Sequence, residues 1–421
     1  TERLIGILKK LRDVGNTVVV VEHDEDVMLA SDLLVDIGPM AGSEGGEVVF
    51  CGPPSQIRDA DTLTARYLRG DLEIEVPSSR RPVRKFIEIK GAKENNLKNI
   101  DVRFPLDMLT VVTGVSGSGK STLVRRILYP ALAKILSETS ERVGSHASIE
   151  GDVDAIGSVE MVDQNPIGKS SRSNPVTYVK AYDDIRDLFA SQKLSKIRGF
   201  SAQHFSFNVD KGRCPVCKGD GEVVVQMQFM ADVHLECEAC GGKRFKREVL
   251  EVRYQDKNIS DILEMTVDQA IDFFRLHGND KIVEKLEPLS DVGLGYIHLG
   301  QPASTLSGGE AQRIKLASFL GKGKVPVKTL FIFDEPTTGL HFHDIKKLLA
   351  SFDSLIRRGH SIIVIEHNPD VIKCADYVID LGPEGGNDGG RLVFAGTPEK
   401  LVGCSGSYTA KYVAPKLMKK E

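Results

Sequence analysis

A chain of 421 residues with 41% hydrophobic side chains has the length for two or three domains and the apolar content for sizeable cores. Its 55 basic and 59 acidic residues leave a formal charge of −4, so any nucleic-acid contact must come from a local basic surface and not from the chain as a whole. No apolar run approaches a membrane span and no secretory signal opens the chain; seven cysteines with two C-x-x-C pairs point to a reducing cytoplasm and to metal, not to disulfides.

The first predicted element is a helix over residues 2–12. The chain starts inside it without Met, which implies a missing piece in front. Residues 17–39 (TVVVVEHDEDVMLASDLLVDIGP) then read as strand, turn, helix and strand, and residues 45–54 as a hairpin arm. Residues 18–21 form a β-branched run of the kind found in fully buried parallel strands, ending in Glu22-His23. The same unit returns at residues 361–383 (SIIVIEHNPDVIKCADYVIDLGP) and 389–398, with His23 on His367, Asp36 on Asp380 and Pro39 on Pro383. TARYL (64–68) matches TAKYV (409–413) after a one-residue slip. Two copies of one tail imply two copies of one domain, the front copy lacking its own phosphate-binding loop. A polar residue at the carboxyl end of such a strand sits where doubly wound sheets bind ligands; a hydrogen-bonded core histidine is the alternative.

Residues 72–85, with Pro77, Pro82 and charges, read as an exposed linker. Strands are expected over 86–89, 100–104 and 109–112. The last runs into GVSGSGKST, which fills the pattern G-x-x-x-x-G-K-[ST] and opens a helix over 120–128. Gly114, Gly117 and Gly119 let the backbone close on phosphate oxygens, so residues 114–122 (Gly114, Ser116, Gly117, Ser118, Gly119, Lys120, Ser121 and Thr122 among them) are the expected ATP cradle. Lys120 is expected on the β- and γ-phosphates and Ser121 on Mg²⁺. Gln164, after a strand-like segment, is a candidate sensor of Mg²⁺ or the γ-phosphate, or a loop glutamine without that role.

About 185 residues separate this loop from LSGGE, too many for one crossover, so a region is inserted at 171–300. Cys214, Cys217, Cys237 and Cys240 enclose nineteen residues with the spacing of a tetrahedral zinc site, within a module of about 205–248. A β-hairpin is expected between the pairs, with Val223, Val225, Met227 and Phe229 alternating. Lys169, Arg172, Lys196, Arg198, Lys211 and Arg213, interleaved with Phe200, Phe205, Phe207 and Phe245, would form a phosphate-tracking surface or merely a solvated one. Ser307, Gly308 and Gly309 open a helix whose first N–H groups suit an anion. Residues 330–333 form an apolar strand ending in Asp334-Glu335: Asp334 for Mg²⁺ through water, Glu335 for the attacking water.

Phosphate loop, Gln164, LSGGE, Asp334-Glu335 and His367 stand in the order of an ATP-binding-cassette ATPase. With the repeat, the four cysteines and phrases such as NPIGKSSRSNPVTY and RFKREVLEV, the chain closely resembles the UvrA family, the DNA-damage sensors of bacterial nucleotide excision repair. The resemblance implies an α/β fold: the end of one cassette domain (1–71), a linker (72–85), and a second cassette domain (86–170 and 301–415) interrupted by the zinc-bearing insert. It implies ATP, Mg²⁺ and Zn²⁺ as cofactors, a homodimer, and damaged double-stranded DNA and UvrB as partners, with no membrane. It also implies composite sites, in which Ser307, Gly308 and Gly309 cap a nucleotide held by another domain and His367 serves as switch histidine. A UvrA-like drug-resistance paralogue or the energy subunit of a transporter is the alternative. The front half-site is absent, so weak turnover by this chain alone is expected.

Overall fold

The computed structural model describes residues 2–42, 45–136, 142–168, 172–227, 229, 232–321 and 327–417. Its strands are β1 (Leu34–Gly38), β2 (Glu47–Gly52), β3 (Phe86–Ala92), β4 (Ile100–Pro105), β5 (Leu109–Gly114), β6 (Ser148–Gly151), β7 (Ser158–Val162), β8 (Glu222–Val225), β9 (Val233–Glu236), β10 (Thr329–Asp334), β11 (Ser361–Ile365), β12 (Tyr377–Gly382) and β13 (Arg391–Gly396). Two compact units emerge, residues 1–163 with 324–421, and residues 164–323.

In the first unit, six strands run in the order β13-β12-β5-β11-β10-β7, parallel except for the β12–β13 hairpin. β5 and β11 are buried along their whole length, as expected of central strands covered on both faces. Ile332, Ile363, Ile365, Leu123, Leu128 and Phe104 share one core that also takes in a smaller antiparallel sheet, β4-β3-β6. The helix after the phosphate loop carries a π-helical turn over Thr122–Leu128 before the α-helix Tyr129–Ile135. Pro130 has no N–H to close on the Arg126 carbonyl, and the Gly144 N–H takes that carbonyl instead, at 2.7 Å.

The tail repeat is visible as structure. β1 pairs with β2 and β12 with β13, each with a register shift at the same place, after Asp36 and after Asp380. Gly38–Pro39 and Gly382–Pro383 are both cis. The strand expected over residues 18–21 is not formed, and Val19 and Val21 are 85% and 91% exposed. A strand needs a hydrogen-bonded neighbour, and no strand among the described residues pairs with this segment. Ile57, Ala65 and Leu68 make a small satellite core instead, against which Phe342 packs. Thr64 Oγ1 lies 3.3 Å from His341 Nε2, and Tyr67 stacks on Phe342.

The expected linker is largely exposed, yet it is pinned. Arg80 donates to the Lys373 carbonyl at 2.6 Å and Arg81 to Asp376 at 2.9 Å.

The second unit is mainly helical, with Ala181–Ala190, Val267–Leu276, Asp280–Asp291 and Gly308–Leu320 as its longest helices. It includes the LSGGE turn and the helix after it, which the sequence reading groups with the cassette core; that helix packs on Asp280–Asp291. Phe205, Phe207 and Phe245 are fully buried here. They build this unit's core and do not interleave a phosphate-tracking surface. Among the described residues no helix is long and apolar enough to cross a membrane.

Candidate nucleotide site and metal centre

The phosphate loop hangs between β5 and the helix that begins at Lys120. Gly114 has φ +130°, and a Cβ there would lie 2.0 Å from the Leu381 carbonyl oxygen, so the position admits glycine alone. Gly119, at φ +105°, would strike Leu97. A pocket of about 140 Å³ opens on this loop, lined by Asn96, Gly117, Gly119, Lys120, Ser121 and Thr122. Lys120 is buried and its Nζ donates to the Gly114 and Val115 carbonyls, both at 2.9 Å. Burial holds its ammonium below the ordinary lysine range, and the carboxylates of Glu335, Asp380 and Asp334 push it back up. The Ser118 N–H closes the turn on the Val115 carbonyl at 3.2 Å, and its buried hydroxyl has no hydrogen-bond partner among the described residues.

The acidic pair ends β10. Asp334 accepts from Arg125 at 2.9 Å; burial lifts its carboxyl above the usual range, and Arg125 draws it back down. Glu335 is left-handed, at φ +45°, held by its N–H to the Ile365 carbonyl at 2.9 Å. Non-glycine residues held in that region cluster at functional sites. Its Oε1 lies 3.4 Å from His367 Nε2, just past β11. Burial first, and the Lys120 charge second, keep His367 below the usual imidazole value.

The sequence reading missed Glu366. This buried carboxylate accepts from the N–H groups of Thr337 (3.1 Å), His367 and Asn368 (3.0 Å) and from the Thr337 hydroxyl, tying the loop after β10 to the loop after β11. The available signal was its recurrence as Glu22-His23 in the front copy.

In the second unit, Gln164 and the LSGGE turn come together, since a Cβ on Gly308 would sit 3.1 Å from Gln164 Cβ. Ser307 caps the helix Gly308–Leu320: its Oγ accepts from the Glu310 N–H at 3.2 Å, and its own N–H donates to Glu310 at 2.8 Å. The Ser307 N–H, expected to await an anion, is therefore engaged. Tyr296 donates to Glu310 at 2.6 Å and holds this box from behind.

The four cysteines meet as spaced. Cys214, Cys217, Cys237 and Cys240 place their sulfurs within 4.8 Å of one another, the one such metal-competent group among the described residues. The Cys214–Cys237 and Cys217–Cys240 pairs are 4.0 and 3.7 Å apart. Tetrahedral zinc with bonds of about 2.3 Å needs sulfurs about 3.8 Å apart, so the set fits Zn²⁺ and leaves no open position. The hairpin between the pairs is β8–β9, spanning residues 222–236 as expected, with Glu222 opposite Glu236; Met227 and Phe229 lie beyond its paired residues.

Of the basic candidates, Lys169 lies outside the described residues. Arg172 sits 3.4 Å from Asp220, Arg213 donates to Asp210 at 2.8 Å, and Arg198 is paired with Glu251. These acids mute the stripe; Lys196 and Lys211 are exposed.

Comparison with protein-family models gives no match. The chain is 54% identical over 418 residues to UvrABC system protein A of Staphylococcus epidermidis RP62A, covering 99% of this chain and 44% of that protein. It is 54% identical over 416 residues to UvrABC system protein A of Bacillus subtilis 168, covering 98% and 43%. The crystal structure of UvrA2 from Deinococcus radiodurans superposes with a TM-score of 0.93 at 45% identity, over 99% of this chain and 50% of that one. The chain thus spans about half the length of the relatives it matches. Its fold is that of an ATP-binding-cassette ATPase, and the chain belongs to the UvrA family.

Proposed function

We propose that this chain binds and hydrolyses ATP as one half-site of a DNA-damage sensor in nucleotide excision repair. The observation that supports this most is Glu335 Oε1 at 3.4 Å from His367 Nε2, beside Asp334 and within the field of Lys120. In this reading the backbone of residues 114–122 wraps the phosphates, and Lys120 Nζ exchanges two carbonyls for the β- and γ-phosphates. Ser121 and Asp334 would hold Mg²⁺, which when bound neutralises charge on the phosphate oxygens. Asp334 gives up Arg125 to do so. Glu335 orients the attacking water and takes its proton on the carboxylate, while His367 Nε2 fixes that carboxylate. Gln164 reports the γ-phosphate. Ser307, Gly308 and Gly309 cap a nucleotide bound by another half-site, with Tyr296 and Glu310 holding the turn in shape.

The same reading carries the domain partition given above, a homodimer in the cytoplasm, damaged duplex DNA and UvrB as partners, and a structural Zn²⁺ at the four cysteines. Cys214, Cys217, Cys237 and Cys240 would hold it and so would tie together the two Cys-x-x-Cys turns that flank the hairpin. DNA contact falls first to Lys196 and Lys211, with Arg172, Arg198, Arg213 and Lys169 joining as their acids are displaced by phosphate.

Calorimetric titration with a magnesium-loaded, non-hydrolysable ATP analogue tests the core of this reading. Binding is expected for the chain and its loss for Lys120→Ala. Specific ATPase activity should be low and rise with protein concentration as half-sites pair. Absence of binding overturns the reading; concentration-independent turnover overturns the composite site.

A further inference from the structure

A loop that turns its N–H groups toward phosphate turns its carbonyls the other way, and those carbonyls need donors. Lys120 serves the Gly114 and Val115 carbonyls here, but in the nucleotide reading it leaves them for phosphate. The Gly117 and Ser118 carbonyls have separate partners. The Gly386 N–H donates to Gly117 O at 3.0 Å and the Gly390 N–H to Ser118 O at 3.1 Å. Asn96 uses its side-chain amide twice, on Gly117 O at 2.8 Å and on Gly386 O at 3.0 Å. The Lys98 N–H donates to the Gly390 carbonyl at 2.9 Å and closes the ring.

The segment that supplies these donors, residues 383–390 (PEGGNDGG), is built for close approach. A Cβ on Gly385 would lie 2.4 Å from the Ser116 carbonyl oxygen, and one on Gly390 1.9 Å from the Asn96 carbonyl oxygen. Gly385 has φ −93°, a conformation any residue adopts, so proximity alone demands glycine there.

We propose that Asn96 and the glycine loop 383–390 form a brace that presets the phosphate loop for nucleotide, with Asn96 as its positioning residue. This rests on the nucleotide-binding reading. The brace holds Gly117 and Ser118 through bonds that do not involve Lys120, so the loop keeps its shape when the lysine swings to phosphate. Ordering is then done before the ligand arrives, and affinity gains what would otherwise go into fixing the loop.

The test uses Asn96→Asp, Asn96→Ala, Asn96→Ser and Gly385→Ala in this chain, with a magnesium-loaded non-hydrolysable ATP analogue as probe. Asn96→Asp keeps the volume but faces two carbonyl oxygens with a carboxylate. It should weaken binding by about thirtyfold, Asn96→Ala by about tenfold, and Asn96→Ser, which retains one donor, by less than either. Gly385→Ala should weaken binding comparably to Asn96→Ala. Amide hydrogen exchange on the nucleotide-free chain supplies the second readout: in Asn96→Ala, the Gly386 and Gly390 amides should exchange faster, with β10 and β11 unchanged. If Asn96→Asp binds as tightly as the unaltered chain, or exchange at those amides does not change, the brace is overturned. If the unaltered chain binds no nucleotide while exchange still responds, the nucleotide reading is overturned and the positioning role with it.

Discussion

Residues 17–68 and 361–413 spell nearly the same unit, yet among the described residues only the second forms a buried strand within a larger sheet. The parts they share are those a chain can form from local information. Both copies make a bulged hairpin, and both follow it with a helix whose start is tied to the hairpin's aspartate. In front, Thr62 caps that helix and Thr64 donates to Asp36; at the back, Ser407 does both jobs, bonding Asp380 and capping at Ala410, with Thr409 as a second donor to Asp380. The parts that differ need distant partners. Residues 362–365 lie between β5 and β10 and are fully buried, whereas residues 18–21 have no ladder and no cover. Burying a valine or isoleucine contributes roughly 1.5–3 kcal/mol, so one segment gains several such increments and the other almost none. A strand is thus a property of its neighbours, a capped turn largely of itself.

The sharpest way to break this contrast is at the acids. Glu335→Gln should cut ATP turnover by about a hundredfold or more, with binding of the non-hydrolysable analogue kept, while Glu22→Gln should leave both within about twofold. Equal effects on steady-state turnover would erase the distinction between the two copies. Next comes packing. Ile363→Ala should cost about 2–5 kcal/mol in the denaturant transition of the cassette core, and Val19→Ala within about 0.5 kcal/mol. A smaller effect separates the caps. Ser407→Ala removes a cap and a partner of a buried carboxylate together and should cost about 2 kcal/mol, against about 1 kcal/mol for Thr62→Ala, by the same measurement.

The smallest effect is in protonation. His367 in the folded chain should titrate below the usual imidazole value of 6.5, seen by NMR of its ring. Because the folded value is depressed, its contribution to stability is fully present above 6.5 and is lost as pH falls through the folded value. Lys120→Met should raise that value toward normal by removing a cation, leaving the burial effect; no movement would take Lys120 out of the histidine's surroundings.

Much of the site was legible from spacing alone. The glycine-rich loop, the acidic pair, His367 and the four cysteines are each recognised in a short window, and the structure gives the loop a pocket, sets Glu335 3.4 Å from His367 and gathers the four sulfurs. What was illegible depends on pairing at a distance. Nothing near Glu366 announces that Thr337 will reach it, and nothing near Asn96 announces Gly386. The pairing of the basic stripe was illegible for the same reason: Asp220 and Glu251 are far from Arg172 and Arg198 in sequence but next to them in space. Phe205, Phe207 and Phe245, threaded through that stripe, are buried core residues, packed ring against ring with Tyr182 and Phe189.

Glu335 occupies a backbone conformation that a glycine or asparagine would adopt at lower cost. Glu335→Gly or Glu335→Asn should therefore relax the chain and, in the reading proposed above, lower its turnover, so hardiness and turnover would pull in opposite directions at this one position. A screen for heat-resistant variants of this protein should recover glycine or asparagine at residue 335.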